Sequence, residues 1–135
     1  MIPWFEKHNK ISWTITITAA IAIFYISSRT FQSVSASGLN IVPTAYHILA
    51  FFFFSLLLLI SIRGKRKAFL FLGIILALLY AISDEIHQLF VPGRNGSVFD
   101  VFLDSIGILA ASVFYYLNKI KTKPTFINSL LLGFL

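Results

Sequence analysis

Residues 83–104 read SDEIHQLFVPGRNGSVFDVFLD and hold Asp84, Glu85, Asp100 and Asp104, four of the five acidic residues in the chain. His87, Gln88 and Arg94 stand among them. Carboxyl and imidazole groups at close quarters can move protons or ligate a divalent cation, and a guanidinium can hold a phosphate through paired hydrogen bonds. Tyr80, Asp84, His87 and Gln88 recur at three- and four-residue steps, which puts them on one face of a helix, with Glu85 about a quarter turn aside. Ile82, Ile86 and Leu89 take another face. Pro92 and Gly93 then stop the helix, Arg94, Asn95 and Gly96 make a turn, and Ser97 caps the next helix. Asp104 follows Asp100 at about 6 Å of helical rise, and Gly107 continues that face with room for a neighbouring backbone.

The elements that must position these groups are set by composition. Of the 135 residues 58% are hydrophobic and only 12% charged, against about 45–50% and about 25% in soluble domains. Too few polar groups remain to cover a water-facing surface, so lipid must solvate much of it. The net charge of +6 gathers in clusters beside apolar segments and forms no stripe interleaved with aromatics, which argues against a nucleic-acid partner. The clusters read as topology signals and contacts to membrane lipids. The absence of cysteine excludes disulfides, thiolate nucleophiles and zinc–thiolate sites.

Four apolar segments, at about residues 11–27, 45–62, 68–90 and 98–117, approach the roughly 20 residues that cross a bilayer as helix. The sequence therefore predicts an all-α, integral membrane four-helix bundle with short loops, occupying residues 1–123. The first span carries Ser12, Thr14, Thr16 and Thr18 in strict alternation, a strand pattern in water; in lipid a lone strand leaves its backbone unpaired, and helix prevails. A cleavable signal peptide, with Lys7 and Lys10 as its basic start and SVSAS beyond, is the alternative for this segment. After Pro124 the apolar stretch is too short to span, and residues 124–135 are expected as an interfacial or disordered tail.

Nine of the eleven Lys and Arg residues flank one side of these spans: Lys7 and Lys10, then Arg63, Lys65, Arg66 and Lys67, then Lys119, Lys121 and Lys123. Arg29 and Arg94 lie on the other. The positive-inside rule places both termini in the cytoplasm and residues 83–104 on the extracytoplasmic side of the cell membrane. His47 opens the second span on that side, and Ser27, Ser28 and Arg29 close the first there.

Purely structural pairing is one reading of the charges: Arg94 with Asp100 or Asp104, and His87 with Asp84. Four carboxylates against at most two arginines leave an imbalance, which calls for a bound cation, a cationic ligand, a retained proton or contact with water. A divalent metal on Asp100, Asp104, His87 and Asp84 is one such cofactor, although the spacing matches no established ligand motif. Arg94 at the outer headgroup level suits a phosphate-bearing amphiphile. No phosphate-cradling glycine loop or hydrolase serine elbow is present.

The stretch YAISDEIHQLFVPGRNGSVFDVFLDSIGILA closely resembles the signature of the VanZ-like family, small multi-helix membrane proteins. HILAFFFFSLLLL from His47 extends the resemblance. Members of that family often carry an Asp-Lys pair shortly before this histidine, whereas Thr44, Ala45 and Tyr46 stand here. The founding member is linked to resistance to the glycopeptide teicoplanin, so the resemblance implies a role at the cell envelope.

Three functional classes follow. In the first, the polar pocket binds and chemically modifies an envelope lipid or lipid-like ligand. Asp84 or His87 then serves as general acid or base, Glu85 stands beside them, and Asp100 and Asp104 hold a cation or orient the base. Arg94 takes an anionic headgroup, with Gln88, His47, Tyr80 and Arg29 as further ligand-binding residues. The second class is a binding or shielding protein that leaves its ligand unchanged. The third is a proton-coupled transporter, which intramembrane acids would serve; four short helices leave little room for a substrate path unless copies assemble, and the oligomeric state is not legible.

Overall fold

The computed structural model describes residues 2–29, 41–63 and 67–121, apart from the side chains of residues 41 and 42. Its elements are α1 (Ile2–Lys7), α2 (Asn9–Ser27), α3 (Ile41–Ile62), α4 (Lys67–Gln88) and α5 (Val98–Lys121). Every described element is a helix, and α2 to α5 are each long and apolar enough to cross a membrane. The chain is therefore an all-α bundle of the multi-pass membrane type. The expected tail at residues 124–135, together with Lys65, Arg66 and Lys123, lies outside the described residues.

The bundle exposes large apolar side chains and buries polar ones among its apolar core. Phe71, Leu79, Ile86, Leu89, Phe102 and Leu109 are exposed, while Ser12, Thr16, Ser27, Ser55, Ser61 and Ser112 are buried. In hydrocarbon there is little gain from hiding apolar surface, so helices associate through close packing and hydrogen bonds. The alternating hydroxyls of α2 resolve on this principle. Ser12 and Thr16, one turn apart, face inwards, and Thr16 Oγ1 meets Ser61 Oγ of α3 at 2.9 Å. Thr14 and Thr18 face outwards and donate to the carbonyls of Lys10 and Thr14 at 3.0 and 2.9 Å, so no hydroxyl is left unpaired towards lipid.

Helix α3 packs on each of the other four, and most extensively on α5. Its phenylalanine run sorts by helical phase: Phe51 and Phe54 are buried, Phe53 is exposed. The close approach of α5 is made at Gly107, where a Cβ would collide with the backbone of Ile48 and Phe52. The turn between α4 and α5 winds down through hydrogen bonds from the amides of Leu89, Phe90 and Val91 to carbonyls three residues back. Gly93 there takes φ 78°, the left-handed region that side chains resist.

Helix α1 is an element too short for hydropathy to reveal. It delivers Glu6, buried against α5, where Tyr115 donates to Oε1 at 2.7 Å and Lys119 pairs with Oε2 at 2.5 Å. Removing the donor leaves a buried carboxylate oxygen short of a partner, a loss of about 1.5–3 kcal/mol. Tyr115→Phe is thus expected to lower the melting temperature in detergent. A melting curve matching wild type would show that this hydrogen bond contributes nothing.

Candidate functional site

At the end of the bundle opposite Glu6, α2, α3, α4 and the start of α5 surround a cavity of about 650 Å³. Its lining is mixed, with polar side chains from Ser27, His47, Asp84, Gln88, Arg94 and Asp100 and apolar ones from Ile23, Ile26, Pro43 and Phe51. Tyr46 and Asn95 complete the lining.

Ser27, Asp84, Gln88 and Arg94 form one connected network with Glu85 and Ser97. Ser27 donates to Asp84 Oδ1 at 2.6 Å, tying α2 to α4. Gln88 Nε2 donates to Asp84 Oδ2 at 3.1 Å and to Glu85 Oε1 at 2.9 Å, since residues three and four apart share a face. Its carbonyl oxygen accepts from Nε of Arg94 at 3.1 Å and from Nη2 of the same guanidinium. Glu85 Oε2 accepts the amide hydrogen of Ser97 at 2.8 Å, which fixes the loop to the helix that precedes it. Ser97 caps α5, with its Oγ 3.4 Å from the amide of Asp100.

Beside this network, His47 Nδ1 lies 3.0 Å from Asp104 Oδ1, and its Nε2 lies 3.9 Å from Asp100 Oδ2. The His47 side chain is 7% exposed and that of Asp104 is 0%, so the pair is buried. Asp104 Oδ2 and the Tyr46 hydroxyl are both buried with no hydrogen-bond partner among the described residues.

Several expectations from spacing are corrected here. Arg94 pairs with neither Asp100 nor Asp104; its guanidinium is committed to Gln88, which stands between it and the acids. His87 does not meet Asp84. It lies half-buried against α2, with Nε2 2.9 Å from Ser28 Oγ and its ring stacked on Phe24 at 4.1 Å between centroids. The metal set of Asp100, Asp104, His87 and Asp84 is therefore not assembled. Tyr80 does not line the cavity and donates to the carbonyl of Ala20 at 2.6 Å. Arg29 is exposed, its guanidinium 4.7 Å from the ring centre of Tyr25 and bonded to that hydroxyl.

Asp84, Glu85, Gln88, Arg94, Asp100, Asp104 and His47 do come together. Tyr46, Phe51 and Asn95 join them, and nothing in their spacing marks them, because membership of a cavity depends on how neighbouring helices rotate. The histidine among the acids is the one from α3, set in place where Gly107 lets α5 close on Ile48.

A family model described as VanZ/LLP1 matches residues 4–119. No curated protein and no solved structure gives a significant match. The matched stretch begins in α1 and runs almost to the end of α5, taking in every residue of the polar network, and the chain belongs to the VanZ/LLP1 family.

Proposed function

We propose that the cavity binds an envelope amphiphile with a phosphate-bearing headgroup, at the extracytoplasmic face of the cell membrane. The observation that carries this reading is one chamber of about 650 Å³ lined both by Arg94 and by the apolar side chains of Ile23, Ile26 and Phe51. A headgroup finds a planar donor fork at the guanidinium, and an acyl or prenyl segment finds apolar packing against the others. The sidedness rests on charge. Arg63, Lys67, Lys119 and Lys121 lie at the end remote from the cavity, as the positive-inside rule requires of a cytoplasmic end. Membership of the VanZ/LLP1 family supports an envelope role, and glycopeptide resistance through such a ligand is the physiological form this proposal takes.

Binding alone accounts for the cavity. If the protein also modifies its ligand, His47 held by Asp104 is the proton-transfer group the geometry favours, because His87 faces Phe24 and Ser28. Mass analysis of recovered ligand separates the two versions.

The binding test uses the full chain in nanodiscs with phosphatidylglycerol and a polyprenyl phosphate as probes. A hydrogen bond to a charged group contributes about 1.5–3 kcal/mol, so Arg94→Gln is expected to weaken binding about 10- to 100-fold. Arg94→Lys should recover part of it, since an ammonium supplies the charge without the fork. Equal retention of both probes by wild type and Arg94→Gln would remove the headgroup role.

A further inference from the structure

Within the same cavity the donor atoms of His47, Glu85 and Asp100 all lie within 4.8 Å of one another. They come from three helices. The carboxylates of Asp84, Glu85, Asp100 and Asp104 crowd around them, and among the described residues Arg94 forms an ion pair with none of these four. Gln88 passes Arg94's influence to Asp84 and Glu85 only through its amide. The charge imbalance that the sequence displays is thus not cancelled by internal pairing.

The orientation of His47 adds a second, independent observation. Asp104 Oδ1, 3.0 Å from Nδ1, holds that ring nitrogen and fixes the orientation of the imidazole. The other nitrogen, Nε2, lies 3.9 Å from Asp100 Oδ2, outside hydrogen-bonding range. A carboxylate that fixes one imidazole nitrogen and turns the other to a cation is the usual outer-shell arrangement of protein metal sites. Asp104 is fully buried, and its Oδ2 has no hydrogen-bond partner among the described residues.

We propose that His47, Glu85 and Asp100 form a binding site for one divalent transition cation, such as Mn²⁺ or Zn²⁺, with Asp104 as the residue that orients His47. One imidazole and two carboxylates are the donor types these ions take. Donors about 2.0–2.2 Å from a metal stand about 3–3.5 Å apart. Asp100, whose side chain is 28% exposed, is the donor that would close the remaining distance. The hydrogen bonds that Glu85 accepts from Gln88 and Ser97 are no obstacle, because a carboxylate offers about four lone-pair positions. Three protein donors leave coordination positions open to water or to an anionic ligand oxygen in the cavity. The site is argued from these donors and holds whether or not an amphiphile binds beside it.

The test is titration of chelator-stripped full chain in detergent with Mn²⁺, read by electron paramagnetic resonance, and with Zn²⁺, read by calorimetry. One ion per chain is expected, with nitrogen coupling from a single imidazole in the Mn²⁺ spectrum. His47→Gln should abolish that coupling, whereas the double variant His8→Gln with His87→Gln should keep it. Glu85→Gln, Asp100→Asn and Asp104→Asn should each weaken binding about 10- to 100-fold, and Glu6→Gln, at the far end of the bundle, should not. Absence of saturable binding to wild type, absence of nitrogen coupling, or undiminished affinity in His47→Gln and Asp100→Asn would overturn the proposal. Retention of phosphatidylglycerol and polyprenyl phosphate is measured on the same chelator-stripped sample. An amphiphile retained without metal binding sinks this inference alone, and metal bound without an amphiphile sinks only the headgroup reading.

Discussion

His47→Leu is expected to destabilise the bundle by about 1–3 kcal/mol, the usual cost of leaving a buried acceptor without its hydrogen bond. The reason lies less in the missing hydrogen bond than in the group left behind. Asp104 is 0% exposed, its Oδ2 already lacks a partner among the described residues, and removal of His47 takes the partner of Oδ1 as well. Asp104→Asn should be much milder for folding, since the amide oxygen still accepts from Nδ1 while the buried charge is gone. Adding Asp104→Asn to His47→Leu should accordingly restore part of the lost stability. Melting of the four proteins in one detergent, followed by size-exclusion, closes the cycle. A double variant no more stable than His47→Leu would show that the uncompensated carboxylate is not the cause.

Gly107→Ala is expected to cost about 1–3 kcal/mol, and Gly107→Leu to leave no folded monodisperse protein. A Cβ at this position meets the Ile48 carbonyl oxygen and the Phe52 amide nitrogen, main-chain atoms that cannot rotate aside. Helices α3 and α5 would have to separate along their whole contact. Because Ile48 follows His47 and Asp104 lies one turn before Gly107, the same displacement pulls the buried pair apart. Gly73 provides the control. Its added Cβ would meet Leu59 Cδ2 at 2.5 Å, the far end of a flexible side chain, so Gly73→Ala should be tolerated better. Equal melting temperatures for the two alanine variants would show that the α3–α5 approach is not rigid.

The long helices were legible because span length and hydropathy answer to bilayer thickness, which is the same for any sequence. The polar face of α4 was legible too, since Asp84 and Gln88 are neighbours through helical geometry alone. What spacing does not encode is rotation about each helix axis. That rotation turned His87 to Phe24 and brought His47 to Asp104 across 57 residues of sequence. Arg94 misleads for a related reason. Opposite charges at short separation look like partners, but Gln88 lies one turn below the loop and intercepts the guanidinium first. Helix α1 escaped because six residues, Ile2–Lys7, fall well below any hydropathy window.

The polar network draws His47 from one helix and its acids from the hairpin that follows. The conspicuous stretch around Pro92 is therefore not a portable cassette. Grafted onto another hairpin, it would bring its aspartates and glutamate into hydrocarbon without the imidazole that α3 contributes, and the recipient would gain a liability in place of a site.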